Sequence, residues 1–163
     1  MKKLNFGCGN DIKKGWDNVD MQEEAPISTD LNIFPYKFAK ADTYDYVFIN
    51  AVLEYLDNPI KVLEELWKIC KNGATIELRY GYYNNLGAFN YPNCKHYFNE
   101  NTFKVYLKNN YYISPKNKFC IESLEMTPTQ VGKWVYPKWL RNKLSHFIGG
   151  ITEKVHVKLK VIK

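Results

Sequence analysis

An apolar strand that runs directly into a Gly-x-Gly turn opens the chain and constrains its fold most strongly. The turn is Gly7-Cys8-Gly9, and a second short apolar stretch ends on Asp20. Glycine lets the backbone approach a ligand closely because it has no Cβ and adopts positive φ at little cost. A carboxylate at the tip of the neighbouring strand is placed to accept hydrogen bonds from the two hydroxyls of a ribose. The first twenty residues therefore predict a site for a nucleoside-containing cofactor.

Further apolar strands and two amphipathic helices predict an α/β fold. Residues 10–17 separate the first two strands and are too few for a helical crossover, which needs a dozen or more residues. One helix begins at Pro59 after the capping residue Asn58 and is expected to end at Gly73. The predicted strands are residues 3–6, 18–20, 27–31, 44–50, 74–80, 118–124 and 155–161, and the second predicted helix runs from the Asn99 cap to about Asn109.

The size and charge of the chain bound its partners. A chain of 163 residues is expected to form one domain, residues 1–163. Residues 1–80 carry ten Lys/Arg and thirteen Asp/Glu, whereas residues 81–163 carry thirteen Lys/Arg and four Asp/Glu. This asymmetry indicates either an anionic partner, such as a phosphorylated substrate, nucleic acid or a membrane surface, or a solvated lysine-rich face. Because only Arg79 and Arg141 are arginine, nucleic acid is the less favoured partner.

The remaining composition predicts a cytoplasmic protein. No apolar run approaches the roughly 18 residues of a membrane span, and the first strand follows Met1 too closely for a signal peptide. The four cysteines are scattered without a Cys-x-x-Cys pair, and we expect reduced, mostly buried thiols. Cys94-x-His96 lacks a second ligand pair, so no metal site is expected.

Two segments outside the strands attract functional interpretations. Residues 81–97 form a long loop rich in Tyr, Asn and Gly, which is typical of a substrate loop. Residues 131–148, here called the basic aromatic segment, combine aromatic with basic residues and predict an amphipathic helix from Pro137. That helix could touch a membrane surface, form a substrate wall or cover the sheet. We favour sheet cover, because the short first crossover leaves one face exposed.

Over about residues 3–112 the chain resembles the class I S-adenosylmethionine-dependent methyltransferases, in particular the short methyltransferase-domain type. The likeness rests on residues 4–9, on the fourth-strand run at residues 45–56, and on the helix, turn and strand at residues 63–78. It implies a Rossmann-like methyltransferase fold: a mostly parallel twisted sheet with an antiparallel C-terminal strand and reduced N-terminal helices.

The resemblance also implies S-adenosylmethionine as cofactor, with S-adenosylhomocysteine as product, and a set of contacts. Asp20 would take the ribose hydroxyls, Asp30 the adenine amino group, and Asn50 would lie by the methionine end. From the sequence alone, Asp30 is equally interpretable as an Asx turn residue and Asn50 as a strand-end cap. The implied cofactor-binding residues are Asn5, Gly7, Cys8, Gly9, Asp20, Met21, Asp30, Leu31, Asn50 and Leu53.

For the acceptor, the resemblance points to O-methylation of a sugar, a glycan or a related small molecule. A hydroxyl acceptor needs a base, and His96 in the loop before the Asn99 helix is the predicted one. The predicted substrate-binding residues are Tyr80, Tyr82, Tyr83 and His96. Alternatives are RNA methylation and a non-catalytic cofactor-binding module that acts with a partner. The reduced N-terminal helices leave the substrate side less enclosed, so a homodimer is also an open expectation.

Overall fold

The fold is a twisted sheet flanked by a few short helices, described by a computed structural model over residues 1–108 and 118–163. The strands are β1 (Lys3–Phe6), β2 (Asp17–Asp20), β3 (Ile27–Ser28), β4 (Tyr44–Asn50), β5 (Cys70–Gly81), β6 (Lys118–Pro128) and β7 (Thr152–Ile162). The helices are α1 (Pro59–Ile69), α2 (Thr102–Lys108) and α3 (Lys138–Leu144), with 3₁₀ turns at Leu86–Phe89 and Gly132–Trp134.

The strand order across the sheet is β3-β2-β1-β4-β5-β7-β6. The first five strands in that order are parallel, and β7 runs antiparallel to both of its neighbours. The prediction of a mostly parallel sheet with an antiparallel C-terminal strand is confirmed. The chain leaves β1 towards β2 and later returns to β4 on the other side, which makes the gap between β1 and β4 the topological switch point. Ligands of open α/β sheets bind at the carboxyl ends of the strands there.

Apolar side chains of the central strands form the core, and α1 covers one face of it. Val47 and Ile49, which lie on one face of β4, are buried in this core. The predicted start of α1 is confirmed, because Pro59 is its first residue and the Asn58 side chain accepts from the Lys61 amide at 3.0 Å. The helix buries Val62, Leu63, Leu66 and Ile69 against the sheet.

The predicted end of α1 at Gly73 is wrong. The helix ends at Ile69, because Cys70 is already extended and pairs with Tyr44 as the first residue of β5. Gly73 instead lies where the β4–β5 register shifts, between the pairs at Tyr44 and Tyr46. A glycine after basic and polar residues predicts a helix stop, but here it marks an irregularity in a strand.

Other element bounds differ by a few residues. The third strand is shorter than predicted, since it ends at Ser28, and the sixth strand extends to Pro128. Helix α2 begins at Thr102, and the Asn99 side chain accepts from the Thr102 amide at 3.0 Å. The predicted end of this helix near Asn109 lies outside the described residues.

The first crossover is short, as predicted, and side chains hold it in place of a helix. The Asn18 carboxamide accepts from the Lys13 amide at 2.8 Å and donates to the carbonyls of Lys13 and Trp16 at 3.0 Å. The Asn5 side chain donates to the Asp11 carbonyl at 2.7 Å and to the Asn18 side chain at 3.0 Å. These hydrogen bonds satisfy backbone amide and carbonyl groups that would be paired with one another if the crossover were a helix.

The basic aromatic segment does not cover the sheet near the first crossover, so that favoured prediction is wrong. It connects β6 to β7, and these strands form the edge of the sheet opposite β3 and β2. Its contacts include the loop after β5 and Glu100: the Tyr83 hydroxyl donates to the His146 carbonyl at 3.3 Å, the Asn84 side chain donates to the Ser145 carbonyl at 3.2 Å, and the His146 imidazole lies 3.5 Å from the Glu100 carboxylate. The strand order therefore removes this segment from the face that it was expected to cover.

All four cysteines are unpaired thiols. Cys8 and Cys70 are buried as predicted, Cys94 is half-buried, and Cys120 on the edge strand β6 is exposed. Burial raises the pKa of the Cys70 thiol to about 12, which leaves this group protonated and inert at neutral pH.

Candidate active site

A cleft of about 540 Å³ opens at the carboxyl ends of β1, β2 and β4, at the switch point of the sheet. Its volume lies within the range of small-molecule sites in proteins. Of the ten residues predicted to bind the cofactor, those that line this cleft are Gly7, Cys8, Gly9, Asp20, Met21, Asp30, Leu31 and Asn50. The fold thus brings residues from three separate strand ends to one cavity.

The glycine turn after β1 is held against β2. The amides of Gly7 and Cys8 both donate to the Val19 carbonyl, at 2.8 Å and 3.0 Å. Gly7 has a φ of +70°, and a Cβ at this position would lie 2.3 Å from a methyl carbon of Val52. Val52 is a stiff, β-branched residue and cannot easily turn away. Gly7 is therefore required both by its backbone conformation and by the space beside it.

A Gly7→Ala variant should lose more stability than a Gly15→Ala variant, which is a matched control. Gly15 has a φ of +77° but open space around its Cβ position, so alanine there incurs only the backbone penalty of about 1–2 kcal/mol. The clash with Val52 should add about 1–3 kcal/mol to the cost at Gly7. Urea unfolding measures both free energies. Equal losses in the two variants would contradict the close approach of Gly7 to Val52.

Asp20 is the last residue of β2, and its carboxylate holds the glycine turn. The same carboxylate can accept further hydrogen bonds. Its Oδ2 accepts from the Gly9 amide at 2.8 Å, and its Oδ1 accepts from the Gln22 amide at 3.2 Å. A carboxylate offers about four lone-pair positions, so two bonds to the backbone leave room for further donors from the cleft. The position suits the predicted ribose contact.

Asp30 and Leu31 form another wall of the cleft. The Asp30 side chain accepts from the Asn32 amide at 2.8 Å, which is an Asx turn, and Asp30 also lines the cleft. Both interpretations of this residue are therefore compatible with its position. The carbonyl of Leu31 accepts from the Tyr36 hydroxyl at 3.0 Å, and this bond holds the turn against the core.

A sharp turn follows Asn50 at the end of β4. Asn50 lines the cleft, and Ala51 has a φ of +53°, a conformation that costs a non-glycine residue about 1 kcal/mol or more. The Ala51 amide donates to the Arg79 carbonyl at 2.8 Å and fixes the turn. The chain beyond it places Val52 in the cleft and Glu54 in a second cavity.

The second cavity, of about 200 Å³, adjoins the cleft, and we call it the side cavity. Ala51 and Tyr55 line both spaces. The loop at residues 81–97, predicted as a substrate loop, contributes much of the wall of the side cavity. The residues that line the side cavity are Ala51, Glu54, Tyr55, Gly81, Asn85, Gly87, Ala88, Tyr91, Cys94, His96, Tyr97, Glu153 and Lys154.

His96, the predicted base, lines the side cavity and also a separate cavity of about 300 Å³ that it shares with Phe98, and its backbone holds it in place. Its amide donates to the Glu54 carbonyl at 3.0 Å, as does the Lys95 amide at 2.7 Å. The imidazole ring stacks on Phe98 with centroids 6.1 Å apart. Its Nε2 is buried and has no hydrogen-bond partner among residues 1–108 and 118–163. A buried nitrogen in this state is a polar group that a bound molecule could satisfy.

Glu54 is a candidate that the sequence reasoning missed. Its side chain is 7% exposed; Oε1 accepts from the Gly81 amide at 3.0 Å, and Oε2 has no partner in the described part of the chain. Burial raises the pKa of this carboxyl above its usual value of 4.5. One signal was present: Glu54 is the only charged residue in the apolar run that follows β4, residues 51–56.

Two predicted cofactor residues lie outside the cleft lining. Asn5 is 2% exposed, and its side chain is engaged in the first crossover through Asp11 and Asn18. Leu53 is 2% exposed and belongs to the hydrophobic core. Asn5 therefore supports the glycine turn from behind, and Leu53 anchors the turn after β4.

The predicted substrate tyrosines do not line the side cavity. Tyr80 and Tyr82 follow the same alternation as Ile76 and Leu78 of β5, so their rings point into the core and are 2% and 0% exposed. The structure therefore places these two rings in the core and away from the side cavity. Tyr83 is half-buried, and its hydroxyl donates to the His146 carbonyl. The tyrosines that do line the side cavity are Tyr55, Tyr91 and Tyr97.

Comparisons with known proteins support the fold. No family model and no curated protein matches the sequence. Among solved structures, a SAM-dependent methyltransferase from Archaeoglobus fulgidus has a TM-score of 0.65 at 15% identity, over 98% of this chain and 86% of that chain. An S-adenosylmethionine-dependent methyltransferase from Mesorhizobium loti has a TM-score of 0.63 at 14% identity, over 98% and 90%.

A third similar structure was solved with SAH. The plantazolicin methyltransferase BpumL, solved in complex with a triazolic desmethylPZN analog and SAH, has a TM-score of 0.59 at 17% identity, over 100% of this chain and 77% of that chain. At these identities the likeness establishes the architecture. The chain has the fold of the class I S-adenosylmethionine-dependent methyltransferases, as the sequence resemblance predicted.

Proposed function

We propose that this protein binds S-adenosylmethionine in the cleft and methylates a hydroxyl of a small-molecule or glycan acceptor held in the side cavity. One observation carries the proposal. In a methyltransferase fold, eight predicted cofactor residues share a cleft, and the side cavity that adjoins it at Ala51 holds two buried, unpartnered polar groups. Because Asn50 is predicted to lie by the methionine end, the methyl group would face the side cavity.

The residues of the cleft fit each part of the cofactor. The turn at Gly7 and Gly9 allows close approach to the methionine and ribose portions, and Asp20 has lone pairs left for the ribose hydroxyls. Asp30 would accept from the adenine amino group, with the Leu31 amide facing a ring nitrogen. When bound, the sulfonium of this cofactor supplies an activated methyl group, so the protein chiefly has to position the acceptor and take up its proton.

We assign His96 as the base that removes the hydroxyl proton. When the acceptor oxygen takes the methyl group, the bond between the methyl carbon and the sulfonium sulfur would break and release S-adenosylhomocysteine, and the hydroxyl proton would pass to Nε2 of His96. The backbone bonds to Glu54 fix the His96 position, and Nε2 has no hydrogen-bond partner among residues 1–108 and 118–163; because this atom is buried, the ring would have to shift for Nε2 to meet the acceptor.

Glu54 is assigned to bind the acceptor. The second carboxylate oxygen of Glu54 has no hydrogen-bond partner in the described part of the chain. In this proposal it accepts a hydrogen bond from another hydroxyl of the molecule that receives the methyl group. Two hydrogen-bond acceptors of the protein in one cavity, on His96 and Glu54, suit a substrate with adjacent hydroxyls, which is the pattern of a sugar. Tyr91 and Tyr97 at the side cavity are 61% and 47% exposed, and aromatic faces pack well on sugar rings. These features favour a glycan acceptor.

The alternatives are supported less well. RNA amino-group methylation lacks the Asn/Asp-Pro-Pro-aromatic sequence at the end of the fourth strand, where this chain has Asn50-Ala51-Val52. A non-catalytic module would need neither the proposed base His96 nor the proposed acceptor-binding residue Glu54 beside the cleft. The expected homodimer stays a prediction, tested by analytical ultracentrifugation.

The proposal is tested by release of S-adenosylhomocysteine in the presence of candidate acceptors. We expect turnover with a free sugar, a nucleotide sugar or a lipid-linked glycan, and methylation at oxygen by mass spectrometry of the product. Transfer to RNA with no transfer to any hydroxyl compound would replace the glycan proposal by its alternative.

An Asp20→Ala variant should bind S-adenosylmethionine more weakly by about 1–3 kcal/mol, because the ribose hydroxyls lose their acceptor. Isothermal titration measures the change. Asp11→Ala is a matched control, since it removes a carboxylate from the same crossover outside the cleft lining. Unchanged affinity in Asp20→Ala, or an equal loss in the control, would refute the cofactor contact at this position.

A further inference from the structure

The basic aromatic segment presents large apolar side chains to solvent. Most of each side chain is accessible: the exposed fractions are 85% for Trp134, 84% for Tyr136, 85% for Phe147, 61% for Trp139 and 60% for Val131. Single exposed apolar residues are common, but a concentration of this kind marks an interaction surface. Neither the cofactor cleft nor the side cavity uses these side chains.

The base of the segment is firmly attached to the body of the protein. The Thr129 amide donates to the Ile151 carbonyl at 2.9 Å, and the buried hydroxyls of Ser145 and Thr152 share a hydrogen bond of 2.6 Å. Gly132 packs so closely that a Cβ there would lie 1.9 Å from the Ile151 carbonyl oxygen. The exposed rings therefore project from an anchored loop and not from a frayed end.

The charges of the segment have one sign. Residues 131–148 contain Lys133, Lys138, Arg141 and Lys143 and no acidic residue. Within the described residues, no salt bridge joins any of these four side chains to a carboxylate. On α3 the Lys143 ammonium lies 5.5 Å from the Trp139 ring centroid, so basic and aromatic groups share one exposed side of the helix.

We propose that the basic aromatic segment binds the surface of an anionic lipid bilayer. Tryptophan and tyrosine rings settle at the level of the lipid headgroups, and neighbouring lysines are attracted to anionic lipids. No helix in residues 1–108 or 118–163 is long and apolar enough to cross a bilayer. The proposed contact is with the headgroup region.

Other occupants fit the charges less well. A symmetric contact with a second copy of this chain would place the four positive charges of one segment against those of the other, which is repulsive. Nucleic acid recognition favours arginine, and only Arg141 of these four is arginine. The aliphatic residues Val131 and Ile148, both half or more exposed, have no stacking role on bases but suit acyl chains.

The segment also lies beside the side cavity. The Asn84 side chain donates to the Ser145 carbonyl at 3.2 Å, the Gly150 amide donates to the Asn84 carbonyl at 3.0 Å, and the next residue, Asn85, lines the side cavity. If the bilayer is bound here, the side cavity lies near it. This extension rests on the proposed function, and it assigns the acceptor to the class of lipid-linked glycans.

Co-sedimentation with vesicles, without cofactor, tests the membrane contact. We expect binding to vesicles of phosphatidylglycerol mixed with phosphatidylcholine and little binding to phosphatidylcholine alone. The triple variant K133Q/K138Q/K143Q should lower the partition coefficient about 100-fold, since each lysine near an anionic surface contributes about 1 kcal/mol. The triple variant K14Q/K37Q/K40Q is the control, because it removes the same charge from exposed lysines outside the segment.

A second variant separates apolar insertion from charge. Trp134→Ala with Trp139→Ala should weaken vesicle binding about tenfold or more while leaving the circular dichroism unchanged, because both rings are exposed. The proposal is overturned by absent binding, by equal binding to both vesicle types, or by an equal loss in the lysine control. It is also overturned by a dimer that the tryptophan variant dissociates. Because cofactor is absent, none of these outcomes depends on methyl transfer.

Discussion

A His96→Ala variant should lose turnover by about 10²–10⁴-fold while its affinity for S-adenosylmethionine stays unchanged. His96 lines the side cavity and the neighbouring cavity beside Phe98 but not the cleft, so its truncation takes away the proposed base without touching the cofactor contacts. The turnover number comes from S-adenosylhomocysteine release at saturating acceptor, and the affinity from isothermal titration.

His146→Ala is the matched control for this experiment. His146 is exposed on the basic aromatic segment, and its imidazole lies outside both the cleft and the side cavity. The control should keep full turnover. Retained turnover in His96→Ala would remove His96 as the base, and lost cofactor affinity would show that the ring supports the cleft instead.

Replacing Glu54 by glutamine should raise the KM for the acceptor about 10–100-fold with little change in kcat, because a charge-assisted hydrogen bond to the acceptor is lost. Glutamine keeps the shape of the side chain, and its carbonyl oxygen can still accept from the Gly81 amide. A large fall in kcat at unchanged KM would instead make Glu54 the base and contradict the assignment of His96.

The same Glu54→Gln variant should be more stable than the wild type at neutral pH. Burial raises the pKa of Glu54 in the folded state above 4.5. Below pH 4.5 the carboxyl is protonated in both the folded and the unfolded states, so the two proteins should differ little. As the pH rises through the interval between 4.5 and the folded-state pKa, the unfolded wild-type chain releases its proton more readily, and the wild type loses stability relative to the variant.

Chemical denaturation at a series of pH values measures this difference. Glu122→Gln is the control, because Glu122 lies on the edge strand β6 with a side chain that is 44% exposed. The control should show no gain in stability that grows with pH. A Glu54→Gln variant that is less stable than the wild type at neutral pH would mean that the bond to Gly81 outweighs the cost of burying the charge.

Much of the fold could be predicted from local sequence because its central strands carry runs of buried apolar residues. The bounds of β1 and β4 agree with the predicted ones, since a continuous apolar run identifies a buried parallel strand. The end of α1 could not be predicted, because it depends on Cys70 pairing with Tyr44 across the sheet. The position of α3 depends likewise on the strand order at the far edge.

The cleft could be predicted better than the side cavity. Gly7, Gly9 and Asp20 carry their signal in a short motif, and the parallel strand ends bring them together. The side cavity depends on a loop that folds back over the turn after β4, which no local pattern describes. Glu54 was missed for this reason, whereas alternation along β5 would have placed Tyr80 and Tyr82 in the core.

Isothermal titration of the purified protein with S-adenosylmethionine and with S-adenosylhomocysteine tests whether the cleft holds the cofactor. We predict saturable one-to-one binding of both compounds in the micromolar range, weakened by Asp20→Ala and unaffected by His96→Ala. Absence of heat with either compound, confirmed by unchanged thermal stability at saturating concentrations, would contradict the account.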